Sequence, residues 1–392
     1  MDTVRVGIVG IGNMGSAHSK NIASGNIKGL ILAAVCDINP QRIQWCQGNL
    51  VGIPTFDNYT NMLNEANLDA IIIATPHRLH PPMAQEAFAM GLHVLIEKPA
   101  GVMVSSVQKM NEIAEKSGKV FGIMWNQRTN PVYAKVREII QSGGLGKPKR
   151  LVWNITNWYR TQSYYDSGTW RATWKGEGGG VLLNQAPHNL DLWQWMFGMP
   201  SRLRAFCYCG KYHNIEGEDD VTIFAEYDNG ATALFITSTG EYPGTNRLEI
   251  SGDRGKLVAE DGKLKLWQLQ GSEREMCFSD SEGFPSWNTD YSEQDFTGQE
   301  KAHSGILQNF ANAILNGEQL LAPGIDGEHE LMISNAAYLS SWKDDWVALP
   351  IDCTEFNRYL ANKITESEKQ SERKDSASFL SGDYSQRWSV RW

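Results

Sequence analysis

The sequence predicts an α/β domain built on a doubly wound parallel sheet, followed by an α+β domain with a large, mostly antiparallel open sheet. Three observations carry that prediction. Strand-like and helix-like runs alternate through the first third of the chain, as βαβ units require. A glycine-rich loop, Gly10-Ile11-Gly12-Asn13-Met14-Gly15, joins the first strand to the first helix. After residue 150 the alternation stops, and strand-like runs follow one another with only turns between them.

Each element has its reason in the residues. Residues 4–9 are apolar and β-branched, a strand, and 14–23 follow as a helix. Residues 30–36 form a second strand, and Pro40 opens a helical turn. Residues 70–74, Ala-Ile-Ile-Ile-Ala, are an unbroken apolar run, the pattern of a strand buried on both faces of a parallel sheet. A helix over 82–90 stops at Gly91, a strand spans 93–96, a helix spans 104–116, and a strand spans 120–124. Beyond these come a long strand over 151–158 and one continuous helix over 181–197. Strands follow over 202–209, 221–227, 231–238, 247–251, 256–259 and 264–269, with Asp228-Asn229-Gly230 as a hairpin turn. Helices return over 300–316 and 327–342. The chain from Lys363 is polar and poorly periodic and reads as an extension, with Trp388 and Trp392 as anchors for a neighbouring surface.

A chain of 392 residues exceeds one ordinary core. The expected division is 1–125, 126–362 and an extension over 363–392. With 41% hydrophobic and 21% charged residues the composition is that of a globular protein. A net charge of −9 excludes a general nucleic-acid binder, which needs a basic face. No apolar run reaches the ~18 residues that cross a bilayer. The first residues lack the basic start and apolar stretch of a secretory signal, which predicts a cytoplasmic location. The six cysteines, Cys36, Cys46, Cys207, Cys209, Cys277 and Cys353, form no CxxC pair and no metal spacing; reduced, mostly buried thiols are expected.

The glycine loop reads as a dinucleotide site of the Rossmann type. Gly10 permits the tight turn, Gly12 lets the backbone approach a pyrophosphate, and Gly15 lets helix and strand pack closely. Asn13 and Met14 open the helix, whose N-terminal N–H groups face the phosphates. Asp37 ends the second strand, 22 residues past Gly15, where a carboxylate accepts from the ribose hydroxyls of NAD and repels the 2′-phosphate of NADP. Arg42 lies near enough to soften that preference. NAD is the expected cofactor.

Three further segments carry a resemblance. Ile73-Ala74-Thr75-Pro76-His77-Arg78-Leu79-His80 ends a strand, Ile96-Glu97-Lys98-Pro99 follows sixteen residues later, and Trp125-Asn126-Gln127-Arg128 comes next. With the glycine loop these resemble the Gfo/Idh/MocA family of sugar and cyclitol dehydrogenases, from Val4 to about residue 350. The resemblance implies that Thr75, Pro76 and His80 line the nicotinamide side, that Glu97 orients the cofactor, that Asn126 contacts it, and that Arg128 contacts substrate. Lys98 is the first candidate for chemistry. A lysine at the carboxyl end of a parallel strand faces the ligand crevice, and near a cationic nicotinamide its pKa is expected to fall toward neutrality.

The second constellation is Gly178-Gly179-Gly180-Val181-Leu182-Leu183-Asn184-Gln185-Ala186-Pro187-His188. Spacing by four puts Asn184 and His188 on one face of a continuous helix. The segment is similar to the family's second-domain catalytic motif, in which an aspartate precedes the histidine by four. Asn184 replaces that aspartate and supplies no charge to stabilise an imidazolium, so the proton-acceptor role shifts from His188 to Lys98. An aromatic stretch that includes Trp158, Tyr159, Tyr164, Tyr165, Trp170 and Trp174, with polar groups between, suits a sugar ring with one apolar face. The resemblance implies that Trp170-Arg171 reaches toward the cofactor and that Trp158 and Tyr159 contact substrate.

The expected reaction is hydride transfer between NAD and a secondary hydroxyl of a carbohydrate, by analogy at C3 of a glycoside, with Lys98, His188 and Asn184 as the catalytic set. An NAD-dependent glycosidase using transient C3 oxidation and elimination, and an inositol dehydrogenase, are the alternatives. A small carbohydrate is the expected partner, with no nucleic acid, membrane or metal. A homo-oligomer, a dimer, a tetramer or a higher assembly, is expected from the family and from an exposed sheet face.

Overall fold

The computed structural model describes residues 2–370, so Trp388 and Trp392 lie outside the described residues. Two compact units divide the chain, Met1–Thr129 with Lys301–Leu331, and Asn130–Glu300 with the chain from Met332 onward.

The first unit alternates strand and helix: β1 Val4–Val9, α1 Asn13–Ala23, β2 Leu30–Cys36, α2 Pro40–Asn49, β3 Thr55–Phe56, α3 Tyr59–Glu65, β4 Ala70–Ile73, α4 His80–Ala89, β5 His93–Ile96, α5 Val104–Ser117 and β6 Phe121–Ile123. The six strands pair in the order β3-β2-β1-β4-β5-β6, all parallel. Ile71, Ile72 and Ile73 are fully buried, as the apolar run predicts. Helices on both faces leave such a strand no solvent side.

The second unit follows: α6 Pro131–Gln141, β7 Pro148–Ile155, α7 Gln162–Asp166, α8 Val181–Asn184, α9 Pro187–Phe197, β8 Arg202–Cys209, β9 Glu218–Glu226, β10 Thr232–Ser238, β11 Asn246–Gly252, β12 Gly255–Glu260, β13 Lys263–Leu269, α10 Glu273–Ser279 and β14 Thr289–Asp295. In chain order there follow α11 Ala302–Asn316 of the first unit, α12 Gly327–Lys343, which begins in the first unit and ends in the second, and β15 Val347–Ala348 and α13 Cys353–Gln370 of the second. Nine strands pair in the order β14-β13-β12-β11-β7-β10-β9-β8-β15. Every neighbour is antiparallel except β7 with β10. The hairpin at Asp228-Asn229-Gly230 joins β9 to β10, with Gly230 at φ +83°.

Four sequence expectations change. The segment 301–331, assigned by the sequence to the second domain, belongs to the first unit. There α11 buries Ile306, Leu307 and Phe310, and Ile123 N–H donates to Ala322 O (3.0 Å), extending the sheet beyond β6. Residues 363–370, expected in a polar extension, belong to α13, and the rest of that expected extension lies outside the described residues. Phe356 and Leu360 bury one stripe of that helix, and Glu366 is exposed off it. Strand β14, Thr-Asp-Tyr-Ser-Glu-Gln-Asp, is exposed throughout and has no apolar alternation to announce it; its backbone pairs with β13 and its charges blunt the sheet edge. The six cysteines are free, but only Cys36 and Cys46 are buried, and Cys209 and Cys277 are exposed. Among the described residues no helix is long and apolar enough to cross a membrane.

Candidate active site

In the first unit four loops leave the carboxyl ends of adjacent strands: the glycine loop after β1, Thr75-Pro76 after β4, Glu97-Lys98 after β5, and Asn126 after β6. The strand order reverses between β1 and β4, and an open α/β sheet binds its ligand in the crevice at such a point.

The glycines have distinct reasons. Gly10 stands at φ +87°, and a Cβ there would lie 2.6 Å from Ala74 O. A Cβ on Gly15 would overlap the Gly10 carbonyl. A Cβ on Gly12 meets nothing within 4 Å, so the space above it is open. No side chain caps α1, and Asn13 and Met14, both half-buried, form its first turn. An open cradle over bare helix N–H groups fits a pyrophosphate. Asp37 Oδ2 accepts the Ile11 N–H (2.6 Å) and Oδ1 accepts the Asn39 N–H (2.8 Å). A carboxylate has about four acceptor positions, so Asp37 fastens the loop and keeps capacity for ribose hydroxyls. Arg42 is half-buried in the first turn of α2. At the β6 end Asn126 is buried, and its Oδ1 is an acceptor without a donor that a bound group can satisfy. These features together fit a dinucleotide.

Lys98 is half-buried at the end of β5. Its N–H donates to Glu97 Oε2 (3.2 Å), while Glu97 Oε1 lies 2.7 Å from His18 Nε2. Thr75 is half-buried and Pro76 exposed. His80 does not line the crevice. Fully buried, it sets Nδ1 2.8 Å from Pro99 O and Nε2 2.7 Å from Thr75 O, bracing the β4 and β5 loops against each other. Burial pushes its ring below the ordinary imidazole value, against the pull of those two carbonyls. Arg128 also departs from expectation. Its side chain is 1% exposed, and Nη1 donates to Asp326 Oδ2 (2.7 Å) and to Leu321 O (3.2 Å). A guanidinium so committed anchors the 301–331 segment rather than offering itself to a sugar.

In the second unit the glycine cluster turns tightly into α8. A Cβ on Gly180 would overlap the Glu218 carbonyl, and one on Gly179 the Tyr338 hydroxyl. Fully buried Glu218 holds the turn: Oε2 accepts the Gly180 N–H (2.9 Å), and Oε1 accepts the Leu182 N–H (2.9 Å) and the Tyr338 O–H (2.8 Å). The helix expected over 181–197 is broken. α8 ends at Asn184 and α9 begins at Pro187, which carries His188 in its first turn. Pro187 lacks the N–H that would continue the ladder, so Asn184 and His188 do not share one regular helix face.

Asn184 Nδ2 donates to Glu177 Oε1, and Glu177 Oε2 accepts the Ala172 N–H (2.6 Å). Glu177 is 2% exposed. Where the family has an aspartate, this chain thus places an amide bonded to a buried acidic side chain. His188 is buried. The aromatics separate into packing groups and surface groups. Trp158 is buried, and its Nε1–H donates to Asn189 Oδ1 (3.3 Å), a core role rather than a sugar-facing wall. Tyr159 is exposed and its ring meets that of Tyr242 at 5.5 Å. Tyr164 is a hub between the guanidinium groups of Arg160 and Arg171, at 5.3 and 4.6 Å from its centroid. Its hydroxyl accepts from Arg171 Nη1 (2.9 Å), and exposed Trp170 stacks beneath the same guanidinium at 4.7 Å.

The sequence reading missed Glu177, Glu218, His18 and Asp326. His18 carried a signal, since it stands three residues after Gly15 and so faces the sheet. Glu218 and Asp326 act across long sequence separations that no local spacing reveals, and Glu177 bonds Ala172 and Asn184, five and seven residues away, with no helical or strand period to announce it.

Two family descriptions match the chain: an oxidoreductase family with an NAD-binding Rossmann fold over residues 4–124, and the GFO/IDH/MocA C-terminal domain over residues 133–258. The scyllo-inositol 2-dehydrogenase (NAD(+)) of Bacillus subtilis (strain 168) is 24% identical over 347 residues, covering 85% of this chain and 93% of that protein. The WlbA dehydrogenase of Bordetella pertussis, solved with NADH and UDP-GlcNAcA, has a TM-score of 0.74 at 26% identity, covering 89% of this chain and 100% of that one. A levoglucosan dehydrogenase solved with NADH and levoglucosan has a TM-score of 0.73 at 20% identity over the same shares, a likeness of fold.

Proposed function

The chain belongs to the Gfo/Idh/MocA family of NAD-dependent oxidoreductases, and from that premise we propose that it oxidises a secondary hydroxyl of a carbohydrate, at C3 of a glycoside. Bound NAD supplies the hydride acceptor, C4 of the nicotinamide. Lys98 Nζ takes the hydroxyl proton, and the carbinol becomes a ketone as its C–H hydride leaves. The reading rests above all on Lys98, a half-buried amine at the carboxyl end of β5 whose peptide N–H is held by Glu97. Asn184, its amide fixed by Glu177, hydrogen-bonds a substrate hydroxyl, and His188 donates or relays a hydrogen bond rather than serving as the base. Tyr159 and Trp170 offer exposed aromatic surface, with the half-buried Arg171 guanidinium against Trp170, which suits a sugar.

Relatives whose names specify scyllo-inositol, levoglucosan and UDP-GlcNAcA support a cyclic polyol or sugar as substrate class. Incubation with NAD and a panel of glucosides, inositols and free sugars tests the choice. NADH formed with glucosides is the expected result. NADH formed only with inositols overturns the glycoside reading. Aglycone released without NADH accumulation replaces it with oxidation, elimination and return of the hydride in place.

A further inference from the structure

Beside the proposed proton acceptor lies a buried group of ionisable side chains that the reaction as written does not use. His18, on the buried face of α1, is 1% exposed, and Glu97 is 6% exposed. His18 Nε2 approaches Glu97 Oε1 to 2.7 Å. Glu97 Oε2 accepts the Lys98 N–H at 3.2 Å. His303, in the first turn of α11, brings its ring to 5.7 Å from that of His18, tilted by 52°. The Glu97 carboxylate thus joins the glycine-loop helix to the end of β5, and His18 in turn meets the segment that returns to complete this unit. Each of its oxygens has a definite donor, so its rotamer is fixed from both sides.

The charges follow the geometry. Burial alone raises the Glu97 carboxyl, but the His18 hydrogen bond, with His18, His303 and Lys98 close by, outweighs it and holds the group below the usual carboxylate range. Burial, followed by His18 and Lys98, pushes His303 down to about 4. His80, braced on Pro99 O, completes the ring of titratable groups around Lys98, and burial keeps it below its ordinary value.

We propose that His18 and Glu97 form a positioning pair for Lys98. His18 donates Nε2–H to keep the buried carboxylate ionised and in place. The carboxylate holds the Lys98 peptide and sets the field in which its ammonium releases a proton. Neither residue takes the substrate proton itself. The inference rests on the reading that Lys98 exchanges that proton. Nearby negative charge favours the ammonium, so neutralising Glu97 makes Lys98 release its proton at lower pH. A buried carboxylate stripped of its side-chain donor takes up a proton instead. Loss of His18 and loss of the Glu97 charge therefore act in the same direction and through the same group.

The test is the pH profile of kcat/KM for NAD-dependent sugar oxidation in His18→Phe, Glu97→Gln, the double variant and His18→Gln. Both first singles are expected to move the acid limb to lower pH by about one unit and to lower kcat about tenfold or more. KM for the sugar changes much less. The double variant matches Glu97→Gln, because the two residues act as one unit. His18→Gln, which keeps an N–H donor, returns the limb toward its original position. Limbs that stay in place in both singles, or effects that add in the double variant, overturn the pairing. If His18→Phe does not fold, Glu97→Gln and His18→Gln decide alone: an unmoved limb in the former overturns the inference. Lys98→Met separates this from the underlying reading. An active Lys98→Met removes Lys98 as acceptor, whereas an inactive one with unmoved limbs elsewhere removes only the positioning pair.

Discussion

Replacing Glu218 by Gln should remove a specific part of the protein's pH-dependent stability. The Glu218 carboxyl is fully buried and accepts the Gly180 and Leu182 N–H groups and the Tyr338 O–H. Burial raises it from 4.5 to about 7, even though those donors pull the other way. At about 1.4 kcal/mol for each pH unit, that displacement is worth about 3 kcal/mol. Because the folded-state value is raised, the contribution is fully present below pH 4.5 and is lost as the pH climbs to about 7. Glutamine does not titrate, but its NH2 must face one of the three donors, which costs about 1–3 kcal/mol at every pH. Wild type is therefore the more stable protein near pH 4.5, and its advantage falls to zero or below by pH 8. Urea unfolding at intervals across that range gives the difference, and exchange of the Gly180 and Leu182 amides localises it to the turn into α8. A difference that stays constant from pH 4.5 to 8 would refute the reasoning.

Three shorter predictions concern the first unit. Gly15→Ala drives a methyl into the Gly10 carbonyl, so NAD binding measured by fluorescence titration should weaken at least tenfold; unchanged affinity would mean the loop has slack the packing does not show. Asp326→Asn leaves the Arg128 guanidinium, at 1% exposure, without its counter-charge, and should cost about 3 kcal/mol of stability with little change in sugar KM; a raised KM with intact stability would return Arg128 to the substrate site. Asp37→Ser removes both the ribose acceptor and the Ile11 tether, so the Kd for NAD should rise about tenfold and the preference over NADP should narrow, as competition between the two cofactors would show.

The cofactor half of the site was legible because its signals are local. Gly10 and Gly15 are dictated by a turn a few residues long, and Asp37 by the end of the very next strand. The place of Lys98, just past the carboxyl end of β5, was legible for the same reason, since Ile96 ends a buried apolar strand of a parallel sheet. The second unit was read less well. The i, i+4 spacing of Asn184 and His188 suggests one helix, but Pro187 between them decides otherwise. Glu218, 38 residues beyond Gly180, and Glu177, bonded to Asn184 from across the glycine turn, hold that segment through contacts no periodicity encodes. Arg128 and His80 sit at the expected places and are spent on the interior, one on Asp326 and one on two backbone carbonyls. Sequence position marked the neighbourhood of the site, and burial decided which side chains are free to act in it.

The most direct test is turnover by Lys98→Met, which keeps an unbranched side chain one atom shorter and removes its amine. General-base catalysis contributes about 10²–10⁴-fold, so kcat/KM for the best glucoside should fall by at least about a hundredfold while the Kd for NAD stays within about threefold. Turnover near the wild-type rate with unaltered NAD binding would contradict the assignment of Lys98 as the residue that takes the proton.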